Sequence, residues 1–194
     1  MEPGQRERDG LLTEQEGRLL VRLAVQALEA HFGQRAAPEL DALAGADSRA
    51  RLEVRRGSFV TLRRRQDGRL RGCTGYIEGR GPLWRDVCAL AVHAACRDPR
   101  FPPVAAAELE GLAVSVSVLG RPRPIAPEEV VAGRHGVIVR QGARSGLLLP
   151  QVATEFGWDA EALLAATCRK AGLHEQAWRQ PDCQLFAFEA QVFC

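Results

Sequence analysis

The chain has 194 residues, of which 46% are hydrophobic and 26% are charged, and its formal net charge is +2. This composition is ordinary for a globular protein that buries a sizeable core. It contains no apolar run near the roughly 20 residues that a membrane-spanning helix requires. Its charged start, MEPGQRERDG, lacks the apolar segment of a secretory signal. We therefore expect a cytoplasmic protein with no membrane partner.

The six cysteines are the next feature of the composition. A chain without a secretory signal is expected to keep its thiols reduced rather than paired in disulfides. None of these cysteines forms a CxxC pair, and closely spaced ligand pairs are typical of structural zinc sites. We expect free thiols, no metal site and no cofactor.

The first third of the chain predicts a helix and a hairpin. After a tail over residues 1–10 that we expect to be disordered, LLTEQEGRLLVRLAVQALEAHFG has the capping box and apolar stripe of a helix, which ends at Gly33. Residues 34–50 are rich in alanine and are predicted to be a loop. Two strands follow, Phe59–Arg65 and Arg69–Tyr76, because they flank an Asp-Gly turn.

A second helix is predicted to start near Pro82 and to end at Asp98-Pro99, since the residue before a proline avoids helical geometry. Its predicted apolar face consists of Trp84, Val87, Cys88, Ala91 and Ala94 or Ala95. Residues 112–120, LAVSVSVLG, alternate between apolar and small polar side chains, which is typical of a strand.

The remainder of the chain repeats this order. A connector with one helical turn, RPRPIAPEEVV, leads to a hairpin, a helix with Asp159 as its N-cap, and a final strand, CQLFAFEAQVF. Hairpins mixed with about three helices predict an α+β fold with an antiparallel or mixed sheet. The order strand–strand–helix–strand occurs twice, which indicates two halves within a single domain over residues 11–194.

Cys73 is the first candidate for chemistry, in the stretch RLRGCTGYIEG. In an extended strand Arg71 points to the same face, and a guanidinium near a thiol favours the thiolate. Gly72 and Gly75 leave the backbone uncovered, so that a ligand or another chain segment can approach closely. The alternative is a small packing cysteine at a strand end, with a glycine serving a bulge or a turn.

Three further residues complete the candidate set. A nucleophilic cysteine needs a base, and His135, in Gly-Arg-His-Gly at a strand start, is the best placed of the four histidines. The alternative for His135 is a turn histidine at a strand entrance. Asp98 and Arg100, in CRDPRFPP, either line an anionic pocket or form a pair that fixes their own loop.

Two other patterns are weaker. His93 and Cys96 lie three residues apart on one predicted helix, as half of a metal site would, but packing is the better interpretation. The nine arginines from Arg49 to Arg71 raise the hypothesis of RNA binding. A charged hairpin edge is the simpler account, because few aromatic side chains accompany the arginines.

Several motifs occur in the order typical of the AMMECR domain, a family named after the Alport syndrome, intellectual-disability, midface-hypoplasia and elliptocytosis chromosomal region. They are LRGCTGYIEG, DPRFPP, SVSVL, GRHGVIV, GLLLPQVATEFGWD and CRKAGL. The chain resembles this family from about residue 12 to its C-terminus. Prokaryotic members are called AmmeMemoRadiSam system protein A, and we expect a bacterial one. The resemblance implies an intracellular α+β protein.

The resemblance also implies two companions, a Memo-like protein and a radical-SAM protein. We predict that the chain acts with them, with Cys73 performing chemistry on a small substrate, Arg71 tuning the thiol and His135 acting as base. One alternative is a non-catalytic module for protein interaction. A weaker alternative is RNA binding through the arginines of residues 49–71.

Overall fold

The structure is a computed structural model that describes residues 11–40 and 44–194, so the predicted disorder of residues 1–10 lies outside the described residues. The α+β prediction is confirmed, with two antiparallel sheets. The strands are β1 (Ser58–Arg64), β2 (Leu70–Tyr76), β3 (Leu112–Leu119), β4 (Arg123–Pro124), β5 (Gly136–Gln141), β6 (Arg144–Leu148), β7 (Gln184–Phe188) and β8 (Ala190–Phe193). The α-helices of the described part are α1 (Glu14–His31), α2 (Ala46–Leu52), α3 (Leu83–Cys96), α4 (Pro150–Phe156) and α5 (Ala160–Lys170).

Two of these helices, α2 and α4, are absent from the prediction of about three helices. Both have seven residues, which is too short for an apolar periodicity to become visible. Helix α2 begins after Gly45, which makes no side-chain capping hydrogen bond. Helix α4 carries Pro150 in its first turn, which is the one signal of its start that the sequence contains.

The chain forms two compact units, which agrees with the two predicted halves. Unit 1 comprises Met1–Val118 and Gln191–Cys194, and unit 2 comprises Leu119–Ala190. The description as a single domain stays a prediction.

Unit 1 is built on a four-stranded sheet with the strand order β2-β1-β3-β8. Helix α3 packs on β1 and β2, and α1 packs against α3. The predicted capping box of α1 is confirmed, because Thr13 and Glu16 exchange hydrogen bonds. On α3 the buried face also includes Leu83 and Leu90, whereas Trp84 is half-buried. In this order β2 is an edge strand.

Unit 2 has its own sheet, with the strand order β4-β7-β5-β6, and α5 packs on β5 and β6. Its core is centred on Val137, Val139, Leu163, Leu164 and Ala187. Asp159 caps α5 as predicted, because its side chain accepts a hydrogen bond from Ala162 N.

The single strand predicted at the C-terminus is wrong, since it is two strands in different sheets. The break falls at Glu189, whose backbone oxygen accepts a hydrogen bond from Gly120 N at 2.7 Å. Alternating apolar residues continue across the break, so the pattern predicts extended backbone but not which sheet it joins.

Among the described residues, no helix combines the length and the apolar character needed to cross a bilayer.

Candidate functional site

The candidate site lies on the edge strand of unit 1, around Cys73. Thr61 on β1 is directly opposite Cys73 on β2, and its hydroxyl donates a hydrogen bond to Cys73 Sγ at 3.3 Å. Side chains come close in such a pair when the backbone groups of the two residues point away from each other. The N–H and C=O groups of Cys73 therefore point to the open edge of the sheet. The thiol of Cys73 is half-buried.

Asp98 and Arg100, in the loop after α3, occupy this edge beside Cys73. Asp98 Oδ2 accepts a hydrogen bond from Cys73 N at 2.8 Å, and Arg100 Nη2 donates to Cys73 O at 3.3 Å. The two side chains thus satisfy the N–H and C=O groups that a neighbouring strand would otherwise bind. The structure brings Cys73 together with two predicted residues that lie 25 and 27 positions further along the chain.

Asp98 and Arg100 are also bonded to each other. Asp98 Oδ2 lies 2.7 Å from Arg100 Nη2, and Asp98 Oδ1 lies 2.9 Å from Arg100 Nε. These hydrogen bonds from Arg100, with a further one from Cys73 N, hold the pKa of the Asp98 carboxyl far below its usual value. Asp98 in turn raises the pKa of Arg100, against the effect of burial, and Cys73 acts in the same direction. Asp98 is therefore ionised at neutral pH, and it fixes Arg100 beside the cysteine.

The predicted position of Arg71 beside the thiol needs correction. Along the hairpin, Leu62 pairs with Gly72 and Arg63 pairs with Leu70, so Arg71 is an extra residue in a β-bulge. A bulge redirects a side chain from the face that strict alternation predicts. The cation beside Cys73 is Arg100 instead.

The Arg71 guanidinium is buried and bound to the segment after the Asp98 loop. It makes a two-pronged pair with Glu108, in which Nε and Nη2 each lie 2.9 Å from a carboxylate oxygen. It also donates to Pro102 O at 2.9 Å. The pair raises the pKa of Arg71 and lowers that of Glu108. Arg71 thus shapes the site by anchoring the chain that follows Arg100.

The glycines at 72 and 75 face other parts of unit 1. A Cβ at Gly72 would lie 2.1 Å from the backbone oxygen of Ala94 on α3, and a Cβ at Gly75 would lie 2.2 Å from the ring of Phe59. Close packing of a helix and an aromatic ring therefore accounts for both glycines. The sequence predicted that either a ligand or another chain segment comes close to these glycines. In the structure, other segments of the chain do so.

His135 belongs to unit 2, whereas Cys73 belongs to unit 1. The imidazole is buried, with 4% of the residue exposed, and its Nδ1 accepts a hydrogen bond from Val131 N at 3.1 Å. Its Nε2 is buried without a hydrogen-bond partner among the described residues. This geometry suits a neutral ring at a strand entrance, the alternative interpretation of the sequence, and the role of base for Cys73 stays a prediction.

The burial of His135 predicts an acid-sensitive unit 2. Burial lowers the pKa of His135, Arg134 and Arg123 lower it further, and Glu189 and Glu129 oppose them. Because the folded pKa lies below the unfolded value of about 6.5, stability is complete above that pH and falls as pH drops through 6.5 toward the folded pKa.

Thermal unfolding between pH 7.5 and 5 is expected to show this loss, with a slope of at most about 1.4 kcal/mol per pH unit. His135→Asn removes the titrating group, so its unfolding curve is expected to change less over the same range. Equal pH dependence in the two proteins would show that His135 is not the sensitive group.

His93 and Cys96 do not converge on a common point. His93 Nε2 lies 3.3 Å from Arg97 Nη1, whereas Cys96 Sγ lies 3.5 Å from His31 Nε2. Over residues 11–40 and 44–194, the structure gathers no group of three or more His, Cys, Asp or Glu side chains suited to a metal ion.

Several arginines of the 49–71 run have partners within the protein. Arg51 pairs with Glu16 at 3.0 Å, Arg64 with Asp67 at 2.8 Å, and Arg71 with Glu108. These pairs neutralise part of the local charge and weaken the case for RNA binding, which depends on arginines that reach phosphate groups.

Thr61 and Glu108 are the residues of this site that the sequence analysis missed. Thr61 could have been found from the hairpin, because pairing the two strands around the Asp-Gly turn places it near Cys73. Glu108 carries no such signal, since its contact with Arg71 depends on the bulge and spans 37 positions.

The chain is an α+β protein in which a half-buried thiol on an edge strand is flanked by an aspartate–arginine pair. The crystal structure of PH0010, an uncharacterised protein from Pyrococcus horikoshii, has a similar fold with a TM-score of 0.80. It is 39% identical in sequence, and the match covers 93% of this chain and 92% of that one.

The chain belongs to the AMMECR1 family, whose model matches residues 21–193. Protein MK0488 of Methanopyrus kandleri is 45% identical over 190 residues, covering 94% of this chain and 89% of that protein. A protein of Methanothermobacter thermautotrophicus is 43% identical and covers 94% of this chain and 95% of its own length. The predicted family is confirmed. These relatives are archaeal, so they do not support the expected bacterial origin.

Proposed function

We propose that this AMMECR1-family protein acts with a Memo-like protein and a radical-SAM protein, and that Cys73 is its reactive group. The substrate class is a small anionic electrophile that binds beside Arg100. The observation that carries the proposal is the half-buried Cys73 thiol with a hydroxyl on its sulfur and a guanidinium at its backbone.

The chemistry follows from the neighbours of the thiol. Thr61 donates a hydrogen bond to the sulfur, and the positive charge of Arg100 lies at the backbone oxygen of the same residue, which is the kind of electropositive, partly exposed surrounding in which reactive cysteines are found. Asp98 is 3% exposed at its side chain and holds Arg100, whose own side chain is 54% exposed. The guanidinium is therefore positioned by a buried anion and still open to a solute.

Arg100 has a nitrogen available for a ligand. Its backbone N, Nε and Nη2 are engaged with Asp98, and Nη2 also reaches Cys73 O. Nη1 has no hydrogen-bond partner among the described residues, so it can donate to a carboxylate or phosphate oxygen.

Charge selectivity at Cys73 tests the substrate class. Arg100→Gln is expected to slow alkylation of Cys73 by the anion iodoacetate about fivefold more than alkylation by neutral iodoacetamide. Such a factor corresponds to about 1 kcal/mol, the attraction between unit charges about 4 Å apart in water. Peptide mass spectrometry measures both rates.

The matched control is Arg69→Gln, which removes an exposed arginine next to β2 that is paired at 3.9 Å with Asp67. It is expected to leave the ratio of the two rates unchanged within about twofold. If Arg69→Gln and Arg100→Gln shift the ratio equally, general surface charge explains the selectivity and the anion site at Arg100 is lost.

A second candidate function, a non-catalytic interaction module, is favoured by Ile77, which is 42% exposed just beyond β2. Cys73→Ser separates the two. In a pull-down with the Memo-like and radical-SAM companions, the reactive-thiol proposal predicts unchanged capture. Weakened capture, with the fold intact by circular dichroism, would favour the interaction module.

A further inference from the structure

We propose that Cys96 and His31 form a second thiol site in unit 1, at which the Cys96 sulfur is oxidised by small hydroperoxides. Cys96 is the last residue of α3 and His31 is the last residue of α1. Since these two helices pack against each other, their ends bring together two residues that are 65 positions apart. The distance from Cys96 Sγ to His31 Nε2 is 3.5 Å, which places the base within reach of the thiol proton.

The imidazole of His31 packs against its neighbour in the chain. The ring of Phe32 stands edge-on to the imidazole, with centroids 5.0 Å apart and an interplanar angle of 84°, and restricts its orientation.

Both groups can be reached from solution. His31 is exposed and Cys96 is half-buried, packed at the margin of the core of unit 1. The thiol thus has a packed side toward the core and a side that faces a base, which is the arrangement of a nucleophile–base pair.

The other cysteine of α3 shows the contrast. Cys88 donates its S–H to Leu23 O at 3.8 Å, and burial raises its pKa to about 12. Burial also raises the pKa of Cys168 and of Cys183 in unit 2. Cys88 is therefore an internal reference for an unreactive thiol on the same helix.

The oxidation step balances as follows. His31 Nε2 takes the proton of the Cys96 thiol, and the thiolate attacks one oxygen of the hydroperoxide. An S–O bond forms as the O–O bond breaks, so the sulfur loses two electrons and the peroxide gains them. The departing oxygen takes the proton from the imidazolium, and the products are a sulfenic acid and water or an alcohol.

The test measures sulfenic acid formation at each cysteine of the full chain, using hydrogen peroxide, a dimedone trap and peptide mass spectrometry. His31→Gln is expected to slow the modification of Cys96 at least about tenfold, because it removes the base. The modification of Cys73 is expected to stay within about twofold, and Cys88 is expected to remain unmodified in both proteins.

His93→Gln is the matched control, since it removes the other histidine near the end of α3, which faces Arg97. It is expected to leave the rate at Cys96 within about twofold. Equal rates at Cys96 in the wild type and in His31→Gln would overturn the proposal. So would a native Cys96 that reacts no faster than the same residue in urea, a comparison that needs no variant to fold.

Discussion

Replacing Gly72 by alanine is expected to lower the free energy of unfolding by about 3 kcal/mol, the upper end of the usual cost of overpacking. The added Cβ would lie 2.1 Å from the backbone oxygen of Ala94 and 3.0 Å from its carbonyl carbon. Backbone atoms cannot rotate away, so α3 would have to move off the sheet that it covers. Urea unfolding of the two proteins measures the difference.

Gly111→Ala is the control for this substitution. A Cβ at Gly111 meets no heavy atom within 4 Å, and the residue has no positive φ. Its stability is expected to lie within about 0.5 kcal/mol of the wild type, as for other surface changes. A loss for Gly72→Ala no larger than that for Gly111→Ala would contradict the close packing of α3 on β2.

Asp98→Asn is expected to destabilise the protein by about 2–3 kcal/mol at pH 7, the range for hydrogen bonds to a charged group. The buried carboxylate accepts hydrogen bonds from Cys73 N and from Arg100. The amide of an asparagine has only one acceptor oxygen, and its NH₂ group would face one of these donors without forming a hydrogen bond. Urea unfolding measures the loss. Because the pKa of Asp98 is depressed, the advantage of the wild type is complete above about pH 4 and shrinks as pH falls further.

Asp67→Asn offers a comparison with an exposed pair. Asp67 lies 2.8 Å from Arg64, and both side chains are about one-third exposed. This change is expected to cost less than about 1 kcal/mol, because solvent screens the pair. Similar losses for the two substitutions would mean that Asp98 is no more than a surface ion pair, without a special role at Cys73.

The local part of the fold could be predicted from the sequence. The Asp-Gly turn fixed the hairpin that carries Cys73, and the capping residues Thr13 and Asp159 marked the starts of α1 and α5. These signals act between residues a few positions apart, so they survive without knowledge of the tertiary structure. The seven-residue helices α2 and α4 are too short to show an apolar periodicity.

The sequence predicted most of the residues of the site but not the contacts between them. Cys73, Asp98 and Arg100 were all candidates, and their contact depends on how α3 returns its C-terminal loop to the edge of β2. Side chains do not alternate strictly from Arg71 to Cys73, because one extra residue in β2 shifts the register. Hydrophobic patterns do not reveal a single bulge, so the partner of the thiol required the structure.

The Cys96–His31 contact was missed for a related reason. Along the chain the histidine nearest to Cys96 is His93, on the same helix, whereas the packing of two helices places His31 at the sulfur. Spacing along one helix predicts which residues share a face, but it gives no information about a second helix 65 residues away.

The most direct test of the account is the alkylation rate of Cys73 in the native protein compared with its rate in urea at the same pH. We expect native Cys73 to react about fivefold faster with iodoacetate, because the guanidinium of Arg100 lies at this residue and attracts the anionic reagent by about 1 kcal/mol, while Cys88 reacts more slowly in the native protein than in urea because it is buried. A native Cys73 that is alkylated no faster than in the unfolded chain would contradict the proposal that it is the reactive group.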